Sequence, residues 1–360
     1  MHQMRWIAAE DVGQAMDKTL QTRWHALQAS DAGFRSPFFS LAFFQIVARH
    51  RPDVDLCVLE ADGDITGLFP FHRRPGGRGV PLAGPIADYQ GILGMAENLT
   101  ADALLRACAL TAYDFDHGLR ANPVFLAEAF RDTSSPLIDL EGGYDAWYQS
   151  RRKATSAIKT MERKLRKLAR EVGPLRFEAH DPDPAVWTRL ITWKRSALAD
   201  KGVGLILDTP WVEAVVRDIA AERTPDFSGC MSTLYAGDRL VAAHFGMRSA
   251  TAWHWWFPVF DPQMSAYSPG LGLLRMCAEQ AAKDGLAELD LGRGTERYKR
   301  EFANGARGLC EGSLERALTP QGAVRRLRKS LHRAGEKMLS DHHIDLKRRA
   351  FNRLLQAGRM

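Results

Sequence analysis

Residues 234–302 read LYAGDRLVAAHFGMRSATAWHWWFPVFDPQMSAYSPGLGLLRMCAEQAAKDGLAELDLGRGTERYKREF. Two runs of β-type residues, Arg239–Arg248 and Thr251–Phe260, are separated by a connection short enough for a hairpin. A loop containing proline and glycine, Ser268–Gly272, follows the second run. The stretch therefore predicts a hairpin that leads into a glycine loop.

The residues after this loop predict a helix, a strand and a second helix. Apolar residues recur at helical spacing from Leu273, and Lys283-Asp284-Gly285 ends that pattern. A short strand over Ala287–Leu291 and a helix over Glu296–Phe302 come next. Strand, glycine loop, helix and strand form an arrangement suited to anions, because backbone N–H groups and the positive end of the helix can face a phosphate. The two glycines alone are a weak signal, since a turn that only starts a helix explains them equally well.

The stretch resembles the catalytic half of the GNAT acyltransferases, whose phosphate loop is usually Gln/Arg-x-x-Gly-x-Gly/Ala. The corresponding frame is Tyr267–Gly272, in which both glycines match and a tyrosine replaces the leading Gln/Arg. Asp290–Gly294, then Tyr298-Lys299 and Phe302, resemble the Asp…Gly…Tyr-Lys…Phe pattern of one GNAT branch. That branch contains the FemAB-like and CelD/BcsL-like acyltransferases of cell-envelope and polysaccharide synthesis.

The resemblance covers about residues 1–318 and implies the fold class. It implies an α+β (mixed α/β) protein of two tandem GNAT-like domains, each a mostly antiparallel twisted sheet flanked by helices. We place a degenerate N-terminal GNAT-like domain at residues 1–145, the catalytic GNAT domain at 146–320 and a basic helical tail at 321–360. The first half has hairpin, helix and strand in a similar order but no Gly-x-Gly loop before its helix. We therefore expect it to bind no CoA and to form one wall of the acceptor cleft.

Composition narrows the class of protein. A chain of 360 residues can form two domains, and 45% hydrophobic with 26% charged residues is typical of a soluble globular protein. No apolar run approaches the ~18 residues of a membrane-spanning helix, and the N-terminus lacks the apolar region of a signal peptide. We therefore expect a cytoplasmic protein. Five scattered cysteines without a C-x-x-C pair argue against a disulfide framework or zinc site, so no metal is expected.

The net charge of +6 is unevenly distributed. Gln321–Met360 contains eleven Lys/Arg and three Asp/Glu, so the rest of the chain is close to neutral and does not suggest a nucleic-acid-binding core. The tail predicts basic helices that pack on the body or contact an anionic membrane at its inner face. Ser150–Arg170 predicts one helix with nine Lys/Arg, either a solvated face or a positive wall toward the phosphates of an acceptor.

Local signals predict further elements in the first half. Asp62-Gly63 between Asp55–Glu60 and Asp64–Phe71 is typical of a hairpin turn. Ala101–Leu119 is interpreted as a helix and Asn122–Glu128 as a strand.

Four side chains are candidates for acid–base catalysis: His244, His254, Asp290 and Tyr298. A neutral histidine, with an ordinary pKa near ~6.5, suits a general base at neutral pH. We prefer His244 as the base, although each histidine could instead be a buried structural residue. Asp290 is a second base, a partner that orients one, or a cap of the following loop. The resemblance implies that Tyr298 protonates the leaving thiolate.

The resemblance implies acetyl-CoA or another acyl-CoA as co-substrate. The residues expected to contact this donor are Phe257, Ser268, Gly270, Leu271, Gly272 and Lys299. The residues expected to contact the acceptor are Asp88, Tyr89, Trp255 and Trp256. Strand alternation places His254 and Trp256 on one face of the second strand and Trp253 and Trp255 on the other.

Three functions are compatible with this sequence. The leading hypothesis is an acyl-CoA-dependent N- or O-acyltransferase that acts on a sugar, polysaccharide or cell-envelope precursor by direct transfer with general-base assistance. The alternative is a FemAB-type aminoacyltransferase that uses aminoacyl-tRNA, the one case in which a nucleic acid is an expected partner. The third is a non-catalytic accessory protein of polysaccharide biosynthesis. The expected partners are a small-molecule or saccharide acceptor and polysaccharide-synthesis proteins.

Overall fold

The computed structural model describes residues 3–94, 98–199 and 204–316. The tail expected over residues 321–360 lies outside this part of the chain. The strands are β1 Gln3–Ile7, β2 Val54–Ala61, β3 Asp64–Arg74, β4 Arg78–Pro81, β5 Leu93–Gly94, β6 Ala112–Leu119, β7 Ala129–Asp139, β8 Leu175–Glu178, β9 Phe227–Ala236, β10 Arg239–Ser249, β11 Ala252–Phe260, β12 Glu288–Asp290 and β13 Gly305–Glu315. The α-helices are α1 Val12–Ala15, α2 Lys18–Ala29, α3 Leu41–His50, α4 Ala101–Ala107, α5 Pro123–Ala127, α6 Tyr144–Ala154, α7 Ser156–Glu171, α8 Pro184–Ala199, α9 Pro210–Ala221, α10 Pro269–Lys283 and α11 Arg297–Phe302.

One continuous sheet organises the described residues. Its strand order is β1-β2-β3-β4-β6-β13-β7-β12-β11-β10-β9-β8, and β5 pairs with β3. Every neighbouring pair is antiparallel except β4 with β6 and β11 with β12. The predicted fold class, a mixed α/β protein with a mostly antiparallel sheet flanked by helices, is confirmed.

The two parallel pairs mark a repeated arrangement in the two halves of the chain. In the first half α4 lies in sequence between β4 and β6, and in the second half α10 connects β11 to β12. The last strand, β13, inserts between β6 and β7, so the sheet continues across the boundary expected at residue 145. The exact domain limits stay a prediction.

The local structure of the second half agrees with its sequence signals. β10 and β11 form the expected antiparallel hairpin, and α10, β12 and α11 follow in the expected order. In the first half, the hairpin predicted at Asp62-Gly63 connects β2 to β3.

Two local predictions in the first half were wrong. The helix expected over Ala101–Leu119 is α4 followed by strand β6, and Ala109 between them has a left-handed φ of 49° that ends the helix. The strand expected over Asn122–Glu128 is the helix α5, which has Pro123 in its first turn. Proline at that position favours a helix start, because its N–H is not needed there.

The basic segment predicted as one helix over Ser150–Arg170 is two helices, α6 and α7. Thr155 interrupts them with extended backbone angles, φ −142° and ψ 151°. Its side chain accepts a hydrogen bond from the backbone N–H of Ala157 at 3.1 Å and so caps α7. The chain can therefore change direction between the two helices.

Three apolar cores cover the faces of the sheet. The largest core contains residues of both halves, including Phe38 and Phe44 of the first and Val215 and Phe245 of the second. A second core lies beneath α7 and α10, and a third lies beneath α4 and α5. Because the largest core spans the halves, it fixes the position of first-half loops against β11.

Two further expectations concern the whole described chain. All five cysteines are free and buried. No helix among residues 3–94, 98–199 and 204–316 is long and apolar enough to cross a membrane.

Candidate active site

A carboxylate of the first half meets a histidine of the second half where the halves join. His254 lies on β11, and Asp88 lies in the loop before β5. The Nε2 of His254 is 2.9 Å from the Oδ2 of Asp88, which is hydrogen-bond distance. His254 is fully buried, whereas 29% of the Asp88 side chain is exposed. Asp88 is therefore the part of this pair that solvent can reach.

Asp290 lies on the other side of His254 and is fully enclosed. Its Oδ1 accepts hydrogen bonds from the Ser135 hydroxyl and the Gly292 N–H, both at 2.7 Å, and Tyr89 donates to its Oδ2. The same Oδ1 lies 3.6 Å from the Nδ1 of His254. His254 is thus placed between two carboxylates, one buried and one partly exposed.

The charges around Asp88 keep it ionised. Burial alone would raise its pKa, but the hydrogen bond and charge of His254 outweigh burial and hold the pKa below its usual range. Its second oxygen, Oδ1, lies 3.8 Å from the Nε2 of His117, which is beyond hydrogen-bond distance. His117 in turn lies 3.0 Å from Asp116, at the end of β6.

His244, which the sequence analysis preferred as the base, accepts a backbone hydrogen bond at an irregularity of the sheet. The pairing of β10 with β11 shifts between Phe245 and Met247, which is a β-bulge. The backbone N–H of Trp256 donates to the Nε2 of His244 at 3.1 Å, so the imidazole satisfies an amide at the bulge. Its ring also stacks on Trp255, with centroids 3.9 Å apart.

This environment leaves His244 without a free lone pair or an exposed surface. The residue is fully buried, and burial lowers its pKa well below the ordinary value, with the charges of His254 and Lys194 acting in the same direction. Gly246 lies directly beneath the ring, where a Cβ would collide with the imidazole and with the His254 carbonyl. The geometry fits a histidine that holds the bulge in place.

Aromatic side chains pack around His254. Phe38 packs edge-on against His254 and Trp256, with centroids 5.0 and 5.6 Å away. The indole of Trp256 donates to the Ile86 carbonyl at 3.2 Å. Trp256 packs on the largest core and Trp255 on the second, so the two lie on opposite faces, as the strand alternation predicted.

The second side of the site is an open strand edge. β12 pairs with β11 only through Ala252, Trp253 and His254. From Trp255 to Phe260 no other described strand pairs with that edge of β11. Backbone groups there are available to an extended ligand.

This edge leads to the start of α10, where the sequence predicted a phosphate loop. Ser268 precedes the helix with left-handed backbone angles, φ 52° and ψ 49°. The ammonium of Lys164 on α7 donates to the Ser268 hydroxyl at 2.9 Å. A Cβ at Gly270 would meet only Phe260, at 3.5 Å, so the loop is open on that side. The loop thus combines a helix N-terminus with a fixed cation.

Gly272 serves helix packing. A Cβ at this position would lie 2.6 Å from the Cδ2 of Leu165, so the glycine lets α7 approach α10 closely. Leu271, its neighbour, donates its backbone N–H to the Ser268 carbonyl at 3.1 Å.

Lys299, Phe257 and Tyr298, which the sequence also placed at the site, are held by neighbouring residues of the protein. The ammonium of Lys299 is nearly buried and donates to the carbonyls of Gly292 and Arg293 at 3.0 Å, so it fixes the loop after β12. Phe257 is buried in the largest core. Tyr298 shares a hydrogen bond with Trp255, and burial raises its pKa.

Sequence reasoning overlooked several contributors. His117 and Asp116 fell inside a segment interpreted as helix, which hid their position at the end of β6. Ser135 and Phe38 carry no motif, and only the packing of distant segments brings them to Asp290 and His254. Lys164 was one of many basic residues in its segment, and no sequence signal singles it out.

The comparisons with known proteins agree with this architecture. Residues 155–300 match the family model described as an acetyltransferase (GNAT) domain. The matched segment begins at Thr155 before α7 and ends in α11, so it includes β11, α10 and β12. This segment of the chain is therefore similar to GNAT acetyltransferase domains. A search of curated protein sequences finds no match.

Solved structures resemble most of the chain in fold at low sequence identity. FemX is 10% identical with a TM-score of 0.59, and the alignment covers 87% of this chain and 99% of that one. A conserved protein of unknown function from Bacteroides thetaiotaomicron VPI-5482 is 10% identical with a TM-score of 0.51, covering 86% of this chain and 100% of that one. A tandem GNAT protein from the clavulanic acid biosynthesis pathway is 11% identical with a TM-score of 0.46, covering 89% and 100%.

Proposed function

We propose that this protein is an acyl-CoA-dependent acyltransferase that transfers the acyl group directly to an amine or hydroxyl of a sugar, polysaccharide or cell-envelope precursor. The observation that carries the proposal is the start of α10 beside the unpaired edge of β11. The helix N-terminus and Lys164 suit a pyrophosphate, and the strand edge suits the extended amide-containing arm of CoA. The GNAT domain match over residues 155–300 supports the same donor.

We infer that Asp88, backed by His254, takes the proton of the acceptor. A general base must come within hydrogen-bond reach of the proton that it removes. His244, His254 and Asp290 are fully buried, whereas Asp88 is partly exposed and uses only its Oδ2 in the hydrogen bond to His254. Asp88 therefore meets the geometric requirement, and the first half contributes more than a wall.

The surrounding groups suit this proton transfer. As the acceptor proton moves to Asp88, the acceptor lone pair forms the new bond to the acyl carbon, and the C–S bond breaks with its electron pair going to the CoA sulfur. His254 can share the proton with Asp88, because Asp290 behind it stabilises a charged ring. Tyr298 is our proposed donor of the proton that the thiolate takes up.

The test of the donor is calorimetric titration with acetyl-CoA. Lys164→Gln removes the cation at Ser268, and we expect about 10–100-fold weaker binding, the value of a charged hydrogen bond. Lys159→Gln is the matched control, because Lys159 is on the same helix but exposed. Absence of acetyl-CoA binding by the wild-type protein would refute the proposal.

The test of the base is acyl transfer by Asp88→Asn. Thiol release from acetyl-CoA is followed with glucosamine, glucose and a soluble polysaccharide as acceptors. We expect kcat to fall about 10²–10⁴-fold with unchanged acetyl-CoA affinity, because only proton removal is lost. Asp116→Asn is the control, since Asp116 does not touch His254. A large fall for Asp116→Asn with none for Asp88→Asn would assign the base elsewhere.

Two observations favour FemAB-type aminoacyl transfer as a second candidate. The chain resembles FemX in fold over 87% of its length, and the exposed face of α7 is basic enough to attract an RNA. Binding of aminoacyl-tRNA that weakens steeply with salt, together with no acetyl-CoA binding, would support this candidate over the first. A non-catalytic accessory role follows if neither donor binds.

We also propose the setting of the reaction. The sequence motif resembles that of the FemAB-like and CelD/BcsL-like acyltransferases, and this resemblance suggests polysaccharide-synthesis proteins as partners. We propose a cytoplasmic location, with peripheral contact to the inner face of the membrane through the basic tail. Removal of residues 321–360 and fractionation of cells would test that contact.

A further inference from the structure

The solvent face of α7 is strongly basic. Its apolar residues Ile158, Met161, Leu165 and Leu168 are buried against the second core. The exposed basic residues on the opposite side are Lys159, Arg163, Arg166, Lys167 and Arg170. The helix is therefore amphipathic: its apolar face packs on the protein, and its charged face is exposed to solvent or to a partner.

Acidic neighbours neutralise only part of this face, since Glu171 pairs with Lys167 at 3.8 Å and with Arg170 at 3.2 Å. The two carboxylates of α7 already have partners, since Glu162 accepts from the Tyr148 hydroxyl at 2.6 Å and Glu171 accepts from the Tyr267 hydroxyl at 2.9 Å. Three basic side chains form no salt bridge with any residue that the structure describes: Lys159, Arg163 and Arg166. The face therefore retains positive charge that can attract an anion.

An apolar trough opens beside this charge. A cleft of about 260 Å³ between α7, α10 and β8 is lined by Tyr148, Met161, Leu165, Ala169, Leu175 and Met276, with Arg166 and Arg275 among them. A second cleft of about 240 Å³ shares Leu175, Arg275 and Met276 and continues past Phe177 to Lys283. The two form one trough with an apolar floor. Its rim carries both charges, because Glu162 and Glu279 also line it and Glu279 pairs with Arg275 and Lys283, which leaves Arg166 as its cation without a salt bridge to a described residue.

We propose that this surface binds an anionic phospholipid of a membrane, with an acyl chain in the trough and the headgroup phosphate at Arg163 and Arg166. Apolar lining beside cationic side chains is the chemistry that an anionic amphiphile requires. A nucleic acid would use the charge but not the apolar floor. The chain's own tail is a poor occupant, because its excess of Lys/Arg would be repelled by Arg166.

The test is binding of the full-length protein to vesicles of phosphatidylcholine mixed with phosphatidylglycerol. Each Lys/Arg near an anionic surface contributes about fivefold in partitioning, so Arg163→Gln/Arg166→Gln should weaken binding by about 25–30-fold. The matched control is Arg195→Gln/Arg217→Gln, which removes two exposed charges from α8 and α9. The control variant and the wild-type protein both keep the basic tail at residues 321–360. We expect the control to bind within about fivefold of the wild-type protein.

A second variant tests the trough itself. Met276→Glu places a carboxylate on the apolar floor and should weaken vesicle binding severalfold while the midpoint of thermal unfolding stays near the wild-type value. Pure phosphatidylcholine vesicles and bulk tRNA are the comparison ligands. Equal losses for the two arginine pairs, or no effect of Met276→Glu, would overturn the proposal. Binding to tRNA that depends on Arg163 and Arg166 but not on Met276 would identify a nucleic-acid surface instead.

Discussion

Replacement of His244 tests whether this residue holds the β-bulge or removes a proton. His244→Leu leaves the buried N–H of Trp256 without its acceptor, which costs about 1–3 kcal/mol. It also removes the ring stacked on Trp255, for a further ~0.5–1.5 kcal/mol. His244→Gln can keep an acceptor for the amide, so we expect it to lose mainly the stacking contribution.

The pH dependence of stability provides an independent measure of the same residue. Burial lowers the pKa of His244, so the folded protein holds the ring neutral while the unfolded chain binds a proton below about pH 6.5. This contribution is complete above pH 6.5 and is lost as the pH falls, at up to about 1.4 kcal/mol per pH unit. His72 also has a pKa lowered by burial and acts with the same sign, so the comparison of variants isolates His244.

The assay is urea unfolding followed by tryptophan fluorescence at pH 7.5 and 5.5, which are chosen at about one unit on either side of the histidine pKa. We expect His244→Leu to lower the free energy of unfolding at neutral pH by about 1.5–4.5 kcal/mol, which is the sum of the lost hydrogen bond and the lost ring stacking. We expect His244→Gln to lose less and to show a weaker decline toward acid pH than the wild-type protein. A His244→Leu protein that unfolds like the wild type but has no transferase activity would refute the structural role.

Three further predictions concern the helices around the site. Gly272→Ala should destabilise the protein, because the added Cβ collides with Leu165. In a double-mutant cycle with Leu165→Ala, the losses in free energy of unfolding, measured with urea, should differ from additivity by about 0.5–3 kcal/mol. Strict additivity would contradict the contact. Thr155→Ala should cost about 1 kcal/mol by removing the cap of α7, and Thr155→Ser should restore most of it in the same assay. Trp147→Phe removes an indole donor from the Phe302 carbonyl at 2.9 Å, so its free energy of unfolding should fall by about 1–3 kcal/mol; an unchanged value would show that the bond contributes little.

Much of the fold was accessible to sequence reasoning because its signals are local. Asp62-Gly63 specifies a tight turn, and Lys283-Asp284-Gly285 ends α10, since each depends on backbone conformations within a few residues. Where such signals competed, prediction failed. Pro123 favours a helix start, but the apolar residues after it are equally typical of a strand. Thr155 ends α6 and caps α7, although the charge pattern on both sides of it suggested one continuous helix.

The candidate site shows the limit of local reasoning. His254 and Asp290 were named from their own segments, but their partners Asp88, Tyr89 and Ser135 lie more than a hundred residues away in sequence. No periodicity specifies such a contact, because it depends on how the largest core joins the two halves.

The sequence by itself determined the β10–β11 hairpin, the helix that follows it and the set of residues that carry polar chemistry, because turn propensities and apolar periodicity act over short distances. The tertiary structure alone decided which of those residues meet. The insertion of β13 between β6 and β7 joins the halves. At the bulge beside Gly246, the backbone N–H of Trp256 donates a hydrogen bond to His244. Packing thereby leaves Asp88 partly exposed beside a buried histidine.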